Sequence, residues 1–200
     1  MEASHLKEHR NMEQTYYQIQ RREELDGEVA YVPLSPPVRT PTMIAWFIMH
    51  QDLSADGDVY VQETCRCADD DCFCPIDPTQ HCVVDFITDV AANEQKDTVS
   101  WAANTLADGL VMVEWLGFDG RVCAEPSFSE RGDMIDVGWD DGPSSWSLHL
   151  GSGDTMYVGD IGYHSPMSIE QPALYAHALL LQEGFWMEPY NSYIMTVMKE

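Results

Sequence analysis

The sequence predicts an α+β protein, a mainly antiparallel, meandering sheet with two or three helices. Asp-Gly dipeptides recur ahead of alternating apolar runs, as turns that launch strands do. Gly and Asp punctuate several further short β-prone segments. Helix-forming composition is confined to a few stretches.

In chain order, residues 4–26 read as an N-terminal helix. Ser4 is a capping residue, and Glu, Gln, Arg, Met and Leu follow in number. Leu6, Met12, Tyr16, Ile19 and Tyr17 form a loose apolar stripe suited to docking on the domain's own core. "VPLSPPVRTPT", residues 32–42, has prolines at 33, 36, 37 and 41 and reads as an extended connector. The expected division is a helical arm with its linker over 1–41 and an acidic α+β domain over 42–200. Three phrases then repeat: Asp56-Gly57 before Val59-Tyr60-Val61, Asp108-Gly109 before Leu110-Val111-Met112-Val113, and Asp119-Gly120 before Arg121-Val122. Each reads as a turn followed by a strand. Residues 98–107 suit a short helix. Residues 133–139, 145–150, 155–161 and 192–198 suit strands. A late helix is expected from Ser168 or Pro172 to about Gln182, ending before Gly184.

Charge is the strongest signal bearing on function. Ten Lys and Arg stand against 34 Asp and Glu, a net charge of −24. Residues 1–39 are nearly balanced, so the excess lies on 40–200. Such a field repels nucleic acid and anionic membrane and attracts basic protein surfaces. A solubilising surface and adaptation to high salt compete with this reading. Eleven Met, six Trp and six Cys argue against salt adaptation. The longest apolar run, Met43–Met49, is far short of the roughly 20 residues a bilayer span needs. The first ten residues lack the apolar core of a secretory signal, so a cytosolic location is expected, where thiols stay reduced.

"ETCRCADDDCFC", residues 63–74, places Cys65 and Cys67, then Cys72 and Cys74, around Asp69, Asp70 and Asp71. On a hairpin, Cys65 would face Cys74 and Cys67 would face Cys72, with all four sulfurs on one face. Four thiolates hold zinc tetrahedrally, and His81 or Cys82 can replace one of them. Structural zinc, disulfides and unligated thiols all remain open. Cys123, alone in an expected strand, reads as a small core residue.

"DLSADGDVYVQE", residues 52–63, resembles the calcium loop of EF-hand proteins. Asp52, Ser54 and Asp56 take the first, third and fifth positions, Gly57 the sixth and Glu63 the twelfth, with Asp58 after the glycine. The resemblance implies a calcium site after a helix near 42–51. The recurrence of Asp-Gly-x-Val without the other ligands supports a plain turn instead, and the turn is preferred.

No nucleophile elbow, phosphate loop or His-Glu-x-x-His occurs. Acid pairs such as Asp133/Asp136 and Asp140/Asp141 suit a metal-dependent hydrolase, but such pairs arise by chance in so acidic a chain. Carboxylates at alternate strand positions, as expected for Asp56/Asp58 and Asp69/Asp71, lie about 6.5–7 Å apart, close to phosphate spacing on a nucleic-acid strand.

The expected function is therefore non-enzymatic. An acidic face including Asp69, Asp70, Asp71, Asp133, Asp136, Asp140 and Asp141 binds a basic partner surface, such as a nucleic-acid-binding groove, and blocks it. Bacteriophage and plasmid anti-defence proteins often work in this general way, an analogy of charge and size alone. The alternatives are a virion or assembly protein using its N-terminal arm for subunit contacts, and the aspartate-dependent hydrolase.

Overall fold

The computed structural model describes residues 14–66, 73–117, 126–138, 171–191 and 194–200. They form two four-stranded antiparallel sheets and a group of helices, the expected α+β class.

The first sheet contains β1 (Thr15–Leu25), β2 (Glu28–Pro33), β3 (Val59–Arg66) and β4 (Phe73–Cys82), in the order β2-β1-β3-β4. Over its described part, the helix expected at 4–26 is therefore a strand; residues 4–13 lie outside the described residues. β1 pairs with β2 on one side and β3 on the other, so residues 15–33 share a sheet with the body of the chain. Both faces of β1 are partly covered. Tyr16 and Gln18 are buried on one face and Ile19 on the other, which blurs the period-two alternation that would have announced a strand. The β1–β2 turn is Asp26-Gly27, both at positive φ (54° and 83°), as a type I′ hairpin requires.

The proline-rich connector is present but packed. Ser35 and Val38 are fully buried, and Val38 exchanges backbone hydrogen bonds with Tyr17 at 2.7 and 2.9 Å. It leads into α1 (Pro41–His50), which opens on a proline, where a missing N–H costs nothing. β4 is an edge strand carrying Pro75 and Pro78, and its register slips against β3 between Gln62 and Thr64. After β4 come a helical turn, α2 (Val83–Asp85), and a π-helical turn (Phe86–Ala91).

α3 (Val99–Gly117) is capped by Thr98, whose Oγ1 accepts the Trp101 amide at 3.0 Å. It continues through Asp108-Gly109, where the sequence suggests a turn and a strand at 110–113. Leu106, Ala107, Leu110 and Met112 are all fully buried, so this stretch lacks the polar stripe that marks a surface helix. Gly109 lies against α4 (Pro172–Gln182); a Cβ there would stand 3.0 Å from Pro172 O and 3.1 Å from Ala173 Cα.

The second sheet holds β5 (Ser127–Arg131), β6 (Met134–Gly138), β7 (Phe185–Asn191) and β8 (Ile194–Lys199), in the order β5-β6-β8-β7. β6, β8 and α4 match expectation. The Gln171 side chain caps α4 by accepting the Leu174 amide at 2.6 Å, and Gly184 ends the turn after it at φ 80°. The strands expected at 145–150 and 155–161, the Asp119-Gly120 turn and Cys123 lie outside the described residues.

One apolar cluster joins these parts. It runs from Ile19 and Val61 on the first sheet, through Trp46, Leu106 and Leu180 on the helices, to Val137 and Val197 on the second sheet. Among the described residues, no helix is long and apolar enough to cross a membrane.

Candidate interaction surface

The described carboxylates divide into those engaged by their own chain and those facing solvent. The most deeply engaged lie at the N-terminus of α1. That helix has no side-chain cap of its own and no acid in its first turn. Its amides are met from elsewhere in the chain. Asp108 of α3 accepts through Oδ2 from the Arg39 amide (2.9 Å), the Thr40 amide (2.7 Å) and the Thr40 hydroxyl (2.7 Å). Glu94 accepts the Thr42 amide at 2.9 Å, and the Thr42 hydroxyl donates to the same oxygen. Helix N-termini favour negative charge, which explains why two acids converge here. Burial pushes Asp108 up to about 6, against the opposing pull of Arg39 and these hydrogen bonds. Burial likewise raises Glu94, opposed by Thr42, Lys96 and the Trp101 indole. Asp108 and Glu94 escape a reading by sequence spacing because the helix they serve lies 68 and 52 residues away. The available signal was Thr40-Pro41, a helix start with no local acceptor.

Other acids are held on the sheets. Asp56 pairs with Arg21 at 3.2 Å and accepts the Asp58 amide at 3.0 Å. Asp136 lies 3.1 Å from Arg131 and accepts the Thr196 hydroxyl at 2.6 Å. Glu63 Oε1 lies 3.0 Å from His81 Nε2.

The sequence-predicted site residues fall on several different elements. Cys65 stands opposite Cys74, as the hairpin reading expected. Cys67 and Cys72 lie outside the described residues. His81 and Cys82 lie at the end of β4 away from Cys74. Cys82 pairs with Tyr60, so strand alternation puts it on the face opposite Cys65 and His81, while His81 is engaged by Glu63. In the calcium-loop segment, α1 does precede it, but β3 follows where an EF-hand needs a helix. Glu63 lies within that strand, and Asp56 is turned to Arg21. Asp52 has φ 53°, and Ser54 and Asp58 are exposed in the turn. Among the described residues, no group of three or more His, Cys, Asp or Glu is placed to hold a metal ion. Asp56 and Asp58 precede β3 and so are not alternate strand residues. Asp136 is tied down, Asp133 is exposed in the β5–β6 turn, and Asp69, Asp70, Asp71, Asp140 and Asp141 lie outside the described residues.

The solvent-facing acids are spread over strand ends, turns and helical turns. Glu24, Asp26 and Glu28 surround the β1–β2 turn. Asp85, Asp89 and Asp97 follow β4, and Glu183 and Glu200 lie at the start of β7 and the end of β8. Among the described cations the Arg39 side chain is nearly buried, whereas Arg21, Arg131 and Lys199 are exposed or half-exposed but touch their own chain. Arg39 stacks over Tyr16 and Phe128 beside Asp108. Arg131 lies over Tyr190, and Lys199 lies over Phe185 while donating to Asp97 O.

These residues define an acidic α+β protein. No protein-family model matches the chain, and no curated protein or solved structure matches it.

Proposed function

We propose that this chain is a non-enzymatic acidic protein that binds a basic surface of a partner protein, of the kind that nucleic acid otherwise occupies. One observation carries the reading. Arg21, Arg39, Arg131 and Lys199 each touch the chain's own carboxylates, carbonyls or rings, while acids such as Glu24, Asp26, Glu28, Asp85, Asp89 and Asp97 face solvent. The net charge of −24 over the whole sequence supports the same reading. Such a field speeds encounter with a basic patch and competes there with phosphates.

Competition is the test. A panel of basic nucleic-acid-binding proteins, each holding a fluorescent duplex, is titrated with this protein. Release of duplex from at least one member is expected, with apparent affinity falling about tenfold or more between 0.05 and 0.3 M salt as screening shortens. No release from any member at about 0.1 M salt, or release indifferent to salt, would reject the reading.

A further inference from the structure

We propose that β2 is a docking edge on which an extended, alternately basic and apolar segment of the partner adds as a further strand. This rests on the binding reading above and names the element that performs it.

The geometry follows from the Asp26-Gly27 turn. In a two-residue hairpin the residues flanking the turn form a hydrogen-bonded pair, and such pairs alternate along the ladder. Leu25↔Glu28, Glu23↔Ala30 and Arg21↔Val32 are then the bonded pairs. The parity is confirmed further on, where the Leu34 amide donates to Ile19 O at 2.8 Å. Glu28, Ala30 and Val32 thus turn their backbone groups toward β1. Val29 and Tyr31 turn their N–H and C=O groups outward, and among the described residues nothing bonds them. Pro33 falls at an outward position, where its missing N–H breaks no ladder bond.

The other sheet edges are protected. β4 carries Pro75, Pro78 and a register slip, β7 carries Pro189 and another slip, and β5 is Ser-Phe-Ser-Glu-Arg. Prolines, bulges and charge are the usual blocks to edge pairing. β2 has a single charge, Glu28, and exposes Val29 (53%) and Tyr31 (46%). It also projects. β3 still bonds Arg22, whose amide donates to Asp58 O at 2.8 Å, and beyond it β1 and β2 continue as a two-stranded ribbon.

The charges identify the occupant. Cross-strand pairing puts Val29 and Tyr31 on one ribbon face with Glu24 and Arg22, and Glu28 on the other face with Glu23 and Leu25. Residues 22–33 hold one arginine against Glu23, Glu24, Asp26 and Glu28. An incoming strand with apolar side chains beside Val29 and Tyr31, and Lys or Arg beside Glu28 on the face that Glu23 shares one strand further in, matches both faces. A second copy of the chain would bring like charges together at the same tip.

The probe is an acetylated, amidated Lys-Val-Lys-Val-Lys-Val peptide added to the full chain labelled with nitrogen-15. Binding is expected to slow hydrogen exchange at the Val29 and Tyr31 amides. Tyr31→Pro, which removes one outward donor and leaves the β1 ladder intact, is expected to weaken binding at least tenfold. Val29→Lys, which places a cation on the edge, should do the same and serves if the proline variant fails to fold. A peptide of equal charge with alternate residues N-methylated should bind at least tenfold more weakly. Peptide binding that leaves these amides unchanged, or that is equal in the variants and the methylated control, overturns strand addition and leaves the acidic-surface reading standing. No peptide binding, with duplex still released in the competition assay, has the same meaning; failure of both assays rejects both readings. Concentration-dependent protection of Val29 and Tyr31 in the protein alone identifies a second copy as the occupant and also overturns the proposal.

Discussion

Asp108 has no exposed surface, yet it holds the start of α1 with three accepted hydrogen bonds. Its folded pKa of about 6 lies above the ordinary 3.8. The folded state therefore binds the proton more tightly than the unfolded chain. This contribution to stability is full below about pH 3.8 and is lost as pH rises through about 6, by about 3 kcal/mol in all. His177 behaves oppositely. Burial lowers it from 6.5 to about 4, and among the described residues its Nδ1 has no hydrogen-bond partner. Its contribution is full above about pH 6.5 and is lost as pH falls through about 4. Melting curves between pH 4 and 7 separate the two. Asp108→Asn should show a weaker gain in stability on acidification than the parent, whereas His177→Leu should gain relative to the parent as pH falls. Parallel curves for either variant would show that the group does not titrate as described.

The helices and hairpins show how one dipeptide serves different structures. Asp-Gly makes a type I′ turn at 26–27, where both residues have positive φ, and lies mid-helix at 108–109. The hairpin turn needs glycine for its backbone. Gly27→Val should fray the ribbon at a cost of about 1–2 kcal/mol, read as faster amide exchange at Leu25 and Glu28. At 109 the need is space. Alanine is the better helix former by about 1 kcal/mol, but its Cβ would press on Pro172 O and Ala173 Cα of α4. Gly109→Ala is therefore expected to destabilise by about 1–3 kcal/mol, and a raised melting temperature would refute the close packing. The α1 start depends similarly on Glu94. Glu94→Ala should cost about 1–2 kcal/mol, while Glu94→Gln should retain more of that stability.

Across the protein, the −24 charge acts on the fold and on binding with opposite salt dependence. Repulsion among exposed carboxylates opposes the compact state, and added salt screens it. Thermal stability is expected to rise between about 0.02 and 0.5 M sodium chloride, while affinity for a basic partner falls across the same range. A melting temperature that declined with salt would mean that ion pairs such as Arg21–Asp56 and Arg131–Asp136 outweigh the repulsion.

Some of this was legible in the residues alone. The α+β class, the charge asymmetry, β3, β6 and β8, and an α4 bounded by Pro172 and Gly184 all follow from local signals, because turns, caps and alternation act within a few residues. Cys65 opposite Cys74 belongs with them, since one hairpin sets it. The rest was decided by long-range packing. Residues 15–25 have helix-compatible side chains and become a strand because β2 and β3 pair with both edges. Residues 108–113 look like a turn and strand but are helical, buried against α4 and the second sheet. Which acids are held inside and which face solvent depends on partners far along the chain. Arg21 meets Asp56, Thr42 meets Glu94, and Thr40 meets Asp108. A carboxylate's role is set by the cation or amide that folding brings to it, and local spacing carries no record of that partner.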